Sequence, residues 1–304
     1  ECLRIRCSSF DIRYSYIIVM NDFWIWWQHL PEKMSPVFFE IGGFKLQYYG
    51  LMYIIAFAVT YVLVLCRVRH EKRFRVSDDE VQNLMLFIII GVIVGGRLGY
   101  VLFYNLSYYL SNPLEIFLPF QFLNGSITFT GISGMSFHGG LMGVLISVWL
   151  YIRKTKLNFW EMADLFAPVV PLGYTFGRLG NFINGELYGR TTSAIMGMHF
   201  PLAPGTDLRH PSQLYEAFFE GIFLFAVLWN LRKLQNPRGA MLASYVIGYG
   251  TVRFFIEYYR QPDAQLGFIF MSFSMGQILC GLMVACGILL YIYLYSAEKG
   301  RLDI

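Results

Sequence analysis

Apolar residues gather into seven long stretches, at about 48–66, 82–104, 134–152, 163–182, 213–231, 240–258 and 274–295. Each is near the ~20 residues that an α-helix needs to cross a ~30 Å hydrocarbon layer. Glycines and prolines scattered through them would weaken soluble helices but are tolerated in membrane bundles. The pattern predicts an all-α integral membrane protein with seven transmembrane helices in one bundle. Residues 1–47 form an N-terminal extension and interfacial segment. Residues 48–295 are the membrane domain, and 296–304 a cytoplasmic tail. The fourth stretch is expected to be one helix from about Ala163 that ends in the polar run Gly177–Arg190.

The composition agrees: 56% of residues are hydrophobic and 14% charged, against about 25% charged in soluble domains. Thirteen Lys and Arg fall in segments 67–81, 153–162, 232–239 and 296–304, and three in loops 105–133, 183–212 and 259–273. By the positive-inside rule the C-terminus is cytoplasmic and the first span starts outside. The net charge of +4 is no nucleic-acid signal, because the basic residues alternate with spans. Five cysteines, two of them (Cys2 and Cys7) in the head segment, give no disulfide framework. Residues 1–19 have no Met, and their apolar run is too short for a signal-peptide core; Met20 is the expected start. Trp24, Trp26 and Trp27 suit an interfacial belt.

Only Arg97, Arg178 and Arg253 are cations within the spans. A charge there costs roughly 2.5–3.5 kcal/mol on insertion scales unless it meets a cavity or a partner. With the orientation above, Tyr49, Arg97, His138, Arg178, Asn181, Glu186, Glu216, Glu220, Arg253, Glu257, Ser274 and Gln277 all fall toward the outer side, which predicts a shared polar cavity under loops 105–133 and 183–212. Tyr249, Arg253 and Glu257 form an i, i+4, i+8 stripe in which Arg253 can pair with Glu257. Arg178 and Asn181 share a face. Gly139, Gly140 and Gly143 let a helix or lipid approach beside His138. Guanidinium forks match phosphate oxygens, and the local anion is a lipid headgroup. His138 is a candidate general base. No HExxH, clustered Asp motif or Cys/His ligand spacing is present, so neither metal nor cofactor is expected.

The segments QYYGLMY (Gln47–Tyr53), GGRLGYVLFY (Gly95–Tyr104), MSFHGGLMG (Met135–Gly143), GRxGNFxNxExxG (Gly177–Gly189), HPSQLYEA (His210–Ala217), Tyr249–Asp263 ending in FFIEYYRQPD, and SMGQ (Ser274–Gln277) occur in this order. Together they resemble the prolipoprotein diacylglyceryl transferases over about residues 35–295. The resemblance implies a multi-pass enzyme of the bacterial cytoplasmic (inner) membrane with its site toward the outer leaflet. It would move the diacylglyceryl group of phosphatidylglycerol to the cysteine thiol of a prolipoprotein lipobox, making a thioether and releasing glycerol phosphate. The partners implied are that lipid, the signal-peptide segment and the bilayer.

On that resemblance Arg178 meets the phosphate, Arg253 is a second clamp oriented by Glu257, and His138 is either base or scaffold. Tyr49 and Tyr249 bind phosphate, hold their neighbours or sit in a belt. Asn181 and Glu186 shape the headgroup pocket or pair with Arg178, and Gly189 belongs to the same pocket. Arg97 is either a ligand or a packing anchor, and Glu216 and Glu220 are read as structural. Two rival readings are an anion or proton-coupled transporter, which lacks the expected internal repeat, and an intramembrane serine protease built on GISG at Gly131–Gly134, which lacks a suitable later histidine.

Overall fold

A computed structural model describes residues 21–41, 44–116, 118, 120–123, 126–129, 134–234, 236–261, 268–270 and 273–302. The head with Cys2, Cys7 and Met20, Ser133 of the GISG turn, and Pro262 and Asp263 of the FFIEYYRQPD segment lie outside the described residues. The chain is mostly helical. Its helices include α1 (Tyr48–His70), α2 (Asp78–Tyr104), α3 (Phe137–Thr155), α4 (Phe159–Phe166), α5 (Val170–Ile183), α6 (Ser212–Leu231), α7 (Ala240–Ile256) and α8 (Met275–Leu302). Four of them, α1, α2, α6 and α8, are long and apolar enough to cross a membrane; α7 is apolar but has 17 residues. The apolar pattern did not announce three two-stranded hairpins, Val37–Ile41 with Phe44–Gln47, Phe120–Leu123 with Ser126–Phe129, and Phe268–Phe270 with Phe273–Ser274.

The chain divides into two compact units, one of residues 40–45 and 58–169 and the other of 1–39, 46–57 and 170–304. In the first, α2 starts at a capping box. Ser77 Oγ accepts from the Glu80 backbone N–H at 3.2 Å, and Glu80 Oε2 accepts from Ser77 N–H at 2.8 Å. Such a box satisfies two of the four N–H groups a helix start leaves unbonded. Helices α2 and α3 then meet backbone to backbone through Gly91, Gly95 and Gly99 on one and Gly139 and Gly143 on the other. A Cβ on Gly143 would overlap Gly91 O, and one on Gly139 would overlap Gly95 O. The glycines beside His138 therefore admit a helix.

The fourth apolar stretch is not one helix. It breaks into α4 and α5 at Ala167–Val169. Pro168 explains this, since proline has no N–H and its ring clashes with the carbonyl four residues back. The carbonyls of Asp164 and Leu165 are instead taken by Arg67, whose Nη1 donates to them at 2.8 and 2.5 Å. Arg67 is 1% exposed. It also holds Glu71 through two N–H groups at 2.8 and 3.0 Å and stacks on Phe74. Its place at the end of an apolar run made it look like a loop cation. It is instead the partner of a helix break 97 residues away.

In the second unit Phe182, Met198 and Phe200 form a core that Trp27, Leu30, Met34 and Leu214 pack against. Trp27 Nε1 donates to Met196 O at 3.1 Å, so this tryptophan fastens the short helix over residues 21–28 to loop 183–212. That loop is held by backbone pairs, Gly189 N–H to His210 O at 2.8 Å, Arg190 N–H to Tyr259 O at 2.9 Å, and Met198 with Arg209 in both directions at 2.9 Å.

Candidate active site

Helix α6 carries Glu216 and Glu220 one turn apart, and both are 0% exposed. Between and beyond them, Ala217–Phe223 winds as a π-helix, a widening that recurs at functional sites. It lies tight against α5. Thr175 Oγ1 donates to Ala217 O at 3.2 Å, and a Cβ on Gly221 would overlap Thr175 Oγ1. Two buried carboxylates each cost several kcal/mol unless cations and hydrogen bonds surround them, and here they do.

Arg178 on α5 places Nε 2.9 Å from Glu216 Oε2. Arg253 on α7 places Nη1 3.2 Å from the same oxygen and 3.4 Å from Glu220 Oε1. Arg260, just past α7, reaches Glu216 Oε1 with Nη1 at 3.1 Å. Tyr174, one turn before Arg178, donates its hydroxyl to Glu220 Oε2 at 2.7 Å with Glu216 Oε2 at 3.1 Å, and its ring lies under the Arg178 guanidinium at 4.7 Å. Tyr249 meets Tyr174 edge to face at 6.1 Å. Three guanidinium groups and three carboxylates, counting Glu257, thus interlock among helices α5, α6 and α7.

The predicted Arg253–Glu257 pair is present, with Nη2 to Oε2 at 3.2 Å. Glu257 Oε2 is also 3.5 Å from Arg260 Nε, yet it is aligned for a hydrogen bond with neither. Its other oxygen accepts from Ser274 Oγ at 3.1 Å. Ser274 is fixed in turn by Gln277, whose Oε1 accepts from Ser274 N–H at 3.1 Å, and Gly276 leaves room for the carboxylate. The SMGQ segment is thus a seat for Glu257.

Arg178 Nη1 donates to Asn181 Oδ1 at 3.3 Å, and Asn181 Nδ2 donates to Glu186 Oε1 at 2.9 Å. Arg178 and Asn181 thus share a face as their spacing implies, while Glu186 meets Asn181. Tyr49 packs on Gly180 and shares a hydroxyl contact with Tyr53 at 3.1 Å. Gly189 is different. Its backbone pairs with His210, and a Cβ would overlap Tyr259 O. It positions the loop through close backbone approach. His210 sits against Tyr215 and Tyr259, and burial holds its imidazole below the ordinary value.

Arg97 and His138 belong to the other unit. Arg97 is buried and donates to the carbonyls of Ile116 at 2.7 Å, Glu115 at 2.6 Å and Gly134 at 3.4 Å, over the Tyr109 ring. Of its two readings, the packing anchor is the one these contacts fit. His138 stands exposed in the first turn of α3, which Ser136 caps by accepting from Gly139 N–H at 3.2 Å.

The motif order found in the sequence has a counterpart in known proteins. A profile described as prolipoprotein diacylglyceryl transferase matches residues 36–293. The chain belongs to this family. Among its relatives, the phosphatidylglycerol--prolipoprotein diacylglyceryl transferase of Chlorobaculum tepidum is 56% identical over 269 residues, 88% of this chain and 93% of that protein. Those of Oleidesulfovibrio alaskensis and Geobacter sulfurreducens are 46% and 43% identical, over 87% and 88% of this chain and 95% and 98% of theirs. The transporter reading finds no support in this membership.

In this family member, the sequence pattern placed Glu216 and Glu220 in the cavity as structural residues and passed over Tyr174 and Arg260. The available signals were two acids at i, i+4 in an apolar helix, and an arginine three residues after Glu257.

Proposed function

We propose that the chain transfers the diacylglyceryl group of phosphatidylglycerol to the lipobox cysteine of prolipoproteins, gripping the lipid phosphate with Arg178 and Arg253. The observation that carries this reading is the convergence of both arginines on one buried carboxylate, inside the motifs that define the family. The cysteine thiol loses its proton to a base. The thiolate sulfur forms a bond to the glycerol carbon, and the C–O bond to phosphate breaks with its electron pair going to oxygen. Glycerol phosphate departs with the added charge. Preorganised guanidinium groups aimed at that oxygen stabilise it, commonly the largest contribution in such sites.

His138 is the proposed proton acceptor, because thiolate rather than thiol is the nucleophile and histidine is the side chain that most often serves as a general base. His138→Gln is expected to lower turnover by about 10²–10⁴-fold. Turnover that persists with the same pH profile would assign the proton to another group. Tyr49, Asn181, Glu186 and Tyr249 shape the headgroup pocket, Gly189 holds its loop, and Glu257 orients Arg253.

All seven apolar stretches cross the bacterial cytoplasmic (inner) membrane in this reading, with the C-terminus inside and the site toward the outer leaflet. The Lys and Arg distribution supports that orientation. Purified protein incubated with phosphatidylglycerol and a lipobox peptide should yield thioether product detectable by mass. The rate should be the same with EDTA present, since arginines carry the electrostatic load. Loss on chelation with recovery on adding a divalent ion would overturn the metal-free mechanism.

A further inference from the structure

We infer that Glu216 is the positioning residue of the phosphate grip, the one carboxylate that brings Arg178 and Arg253 side by side and braces them to Arg260. The inference rests on the role proposed above for the two arginines. Guanidinium groups repel one another, most strongly where water is excluded. Two of them held close together in an apolar helix bundle therefore need a shared anion. Glu216 Oε2 is that anion, 2.9 Å from Arg178 Nε and 3.2 Å from Arg253 Nη1. Its second oxygen accepts from Arg260 Nη1 at 3.1 Å, so neither oxygen is left to a ligand.

Glu220 is not equivalent, although it is as deeply buried and only one turn away. Among the described residues its one ion pair is with Arg253 at 3.4 Å, and its second oxygen is held by the Tyr174 hydroxyl at 2.7 Å. Glu216 also helps set the plane of the Arg178 guanidinium, which meets Glu216 through Nε and Asn181 through Nη1. Glu216 thus acts on the lipid only through the arginines it orients.

The test compares Glu216→Gln with Glu220→Gln in the phosphatidylglycerol and lipobox-peptide assay, beside the unaltered chain. Glu216→Gln keeps the side-chain shape and removes the shared anion. KM for phosphatidylglycerol is expected to rise and kcat to fall, each about tenfold or more, while KM for the peptide stays within about twofold. Glu220→Gln is expected to lose less on both measures. Unchanged lipid kinetics in Glu216→Gln overturns the inference. So does a Glu220→Gln loss as large as that of Glu216→Gln, which would mark a general need for buried charge.

Should Glu216→Gln not be recovered folded, Glu216→Asp carries the same test. It keeps the charge and withdraws it by one methylene, so the same split between lipid and peptide KM is expected, and lipid kinetics like those of the unaltered chain overturn the inference. An unaltered chain that makes no thioether would defeat the transferase reading itself, which separates the two failures.

Discussion

Arg178→Ala should lower diacylglyceryl transfer by at least about 10²–10³-fold, the usual cost of losing one preorganised donor to developing charge. The protein should remain folded in membranes. Its fold survives because Glu216, the carboxylate left behind, keeps Arg253 at 3.2 Å and Arg260 at 3.1 Å. What disappears is the cation over the Tyr174 ring and the donor that orients Asn181. Thioether yield by mass and a melting curve in detergent separate the two effects. Full activity in Arg178→Ala would remove this arginine from the mechanism. Lysine should rescue it poorly, because a point charge cannot offer a fork to Glu216 and phosphate together.

Arg67→Ala should instead damage stability, by about 3–5 kcal/mol, as expected when one partner of a buried ionic arrangement is removed. The change takes Arg67 away from the carbonyls of Asp164 and Leu165 and leaves Glu71 to its contact with Arg73 at 3.2 Å. The melting temperature in detergent reads the loss. A control follows from the cause of the break. Proline at 168 withholds the N–H that would otherwise bond Asp164 O, so adding Pro168→Ala should recover part of the stability lost in Arg67→Ala. A melting temperature unchanged in Arg67→Ala, or a double variant no better than the single, would show that Arg67 does not hold the break.

These two arginines mark the limits of reading the chain. Arg178 stood out because an ion at the end of an apolar run is costly, and its neighbour Asn181 lies three residues on, close enough to be paired by helical spacing. The Arg253–Glu257 contact was legible for the same reason. Arg67 was counted with the loop cations because nothing within a few turns distinguishes it from Arg69, which is exposed and paired with Asp78. Glu216 and Glu220 were read as structural because their cations lie 33–44 residues away. Pro168 carried a visible signal, since proline inside a helix breaks it, but the tolerance of membrane helices for proline masked it.

The chain alone determined that this is a helical membrane protein with a handful of ions confined to a few motifs. It also determined the family, because burial cost and helical period act over short distances that a linear pattern preserves. Tertiary structure alone decided which ions share a carboxylate, which glycines admit a neighbouring helix, and which arginine serves a helix break. Those outcomes depend on contacts between segments far apart in the chain, where charge, shape and unsatisfied backbone groups must match in space, and no local period records that match.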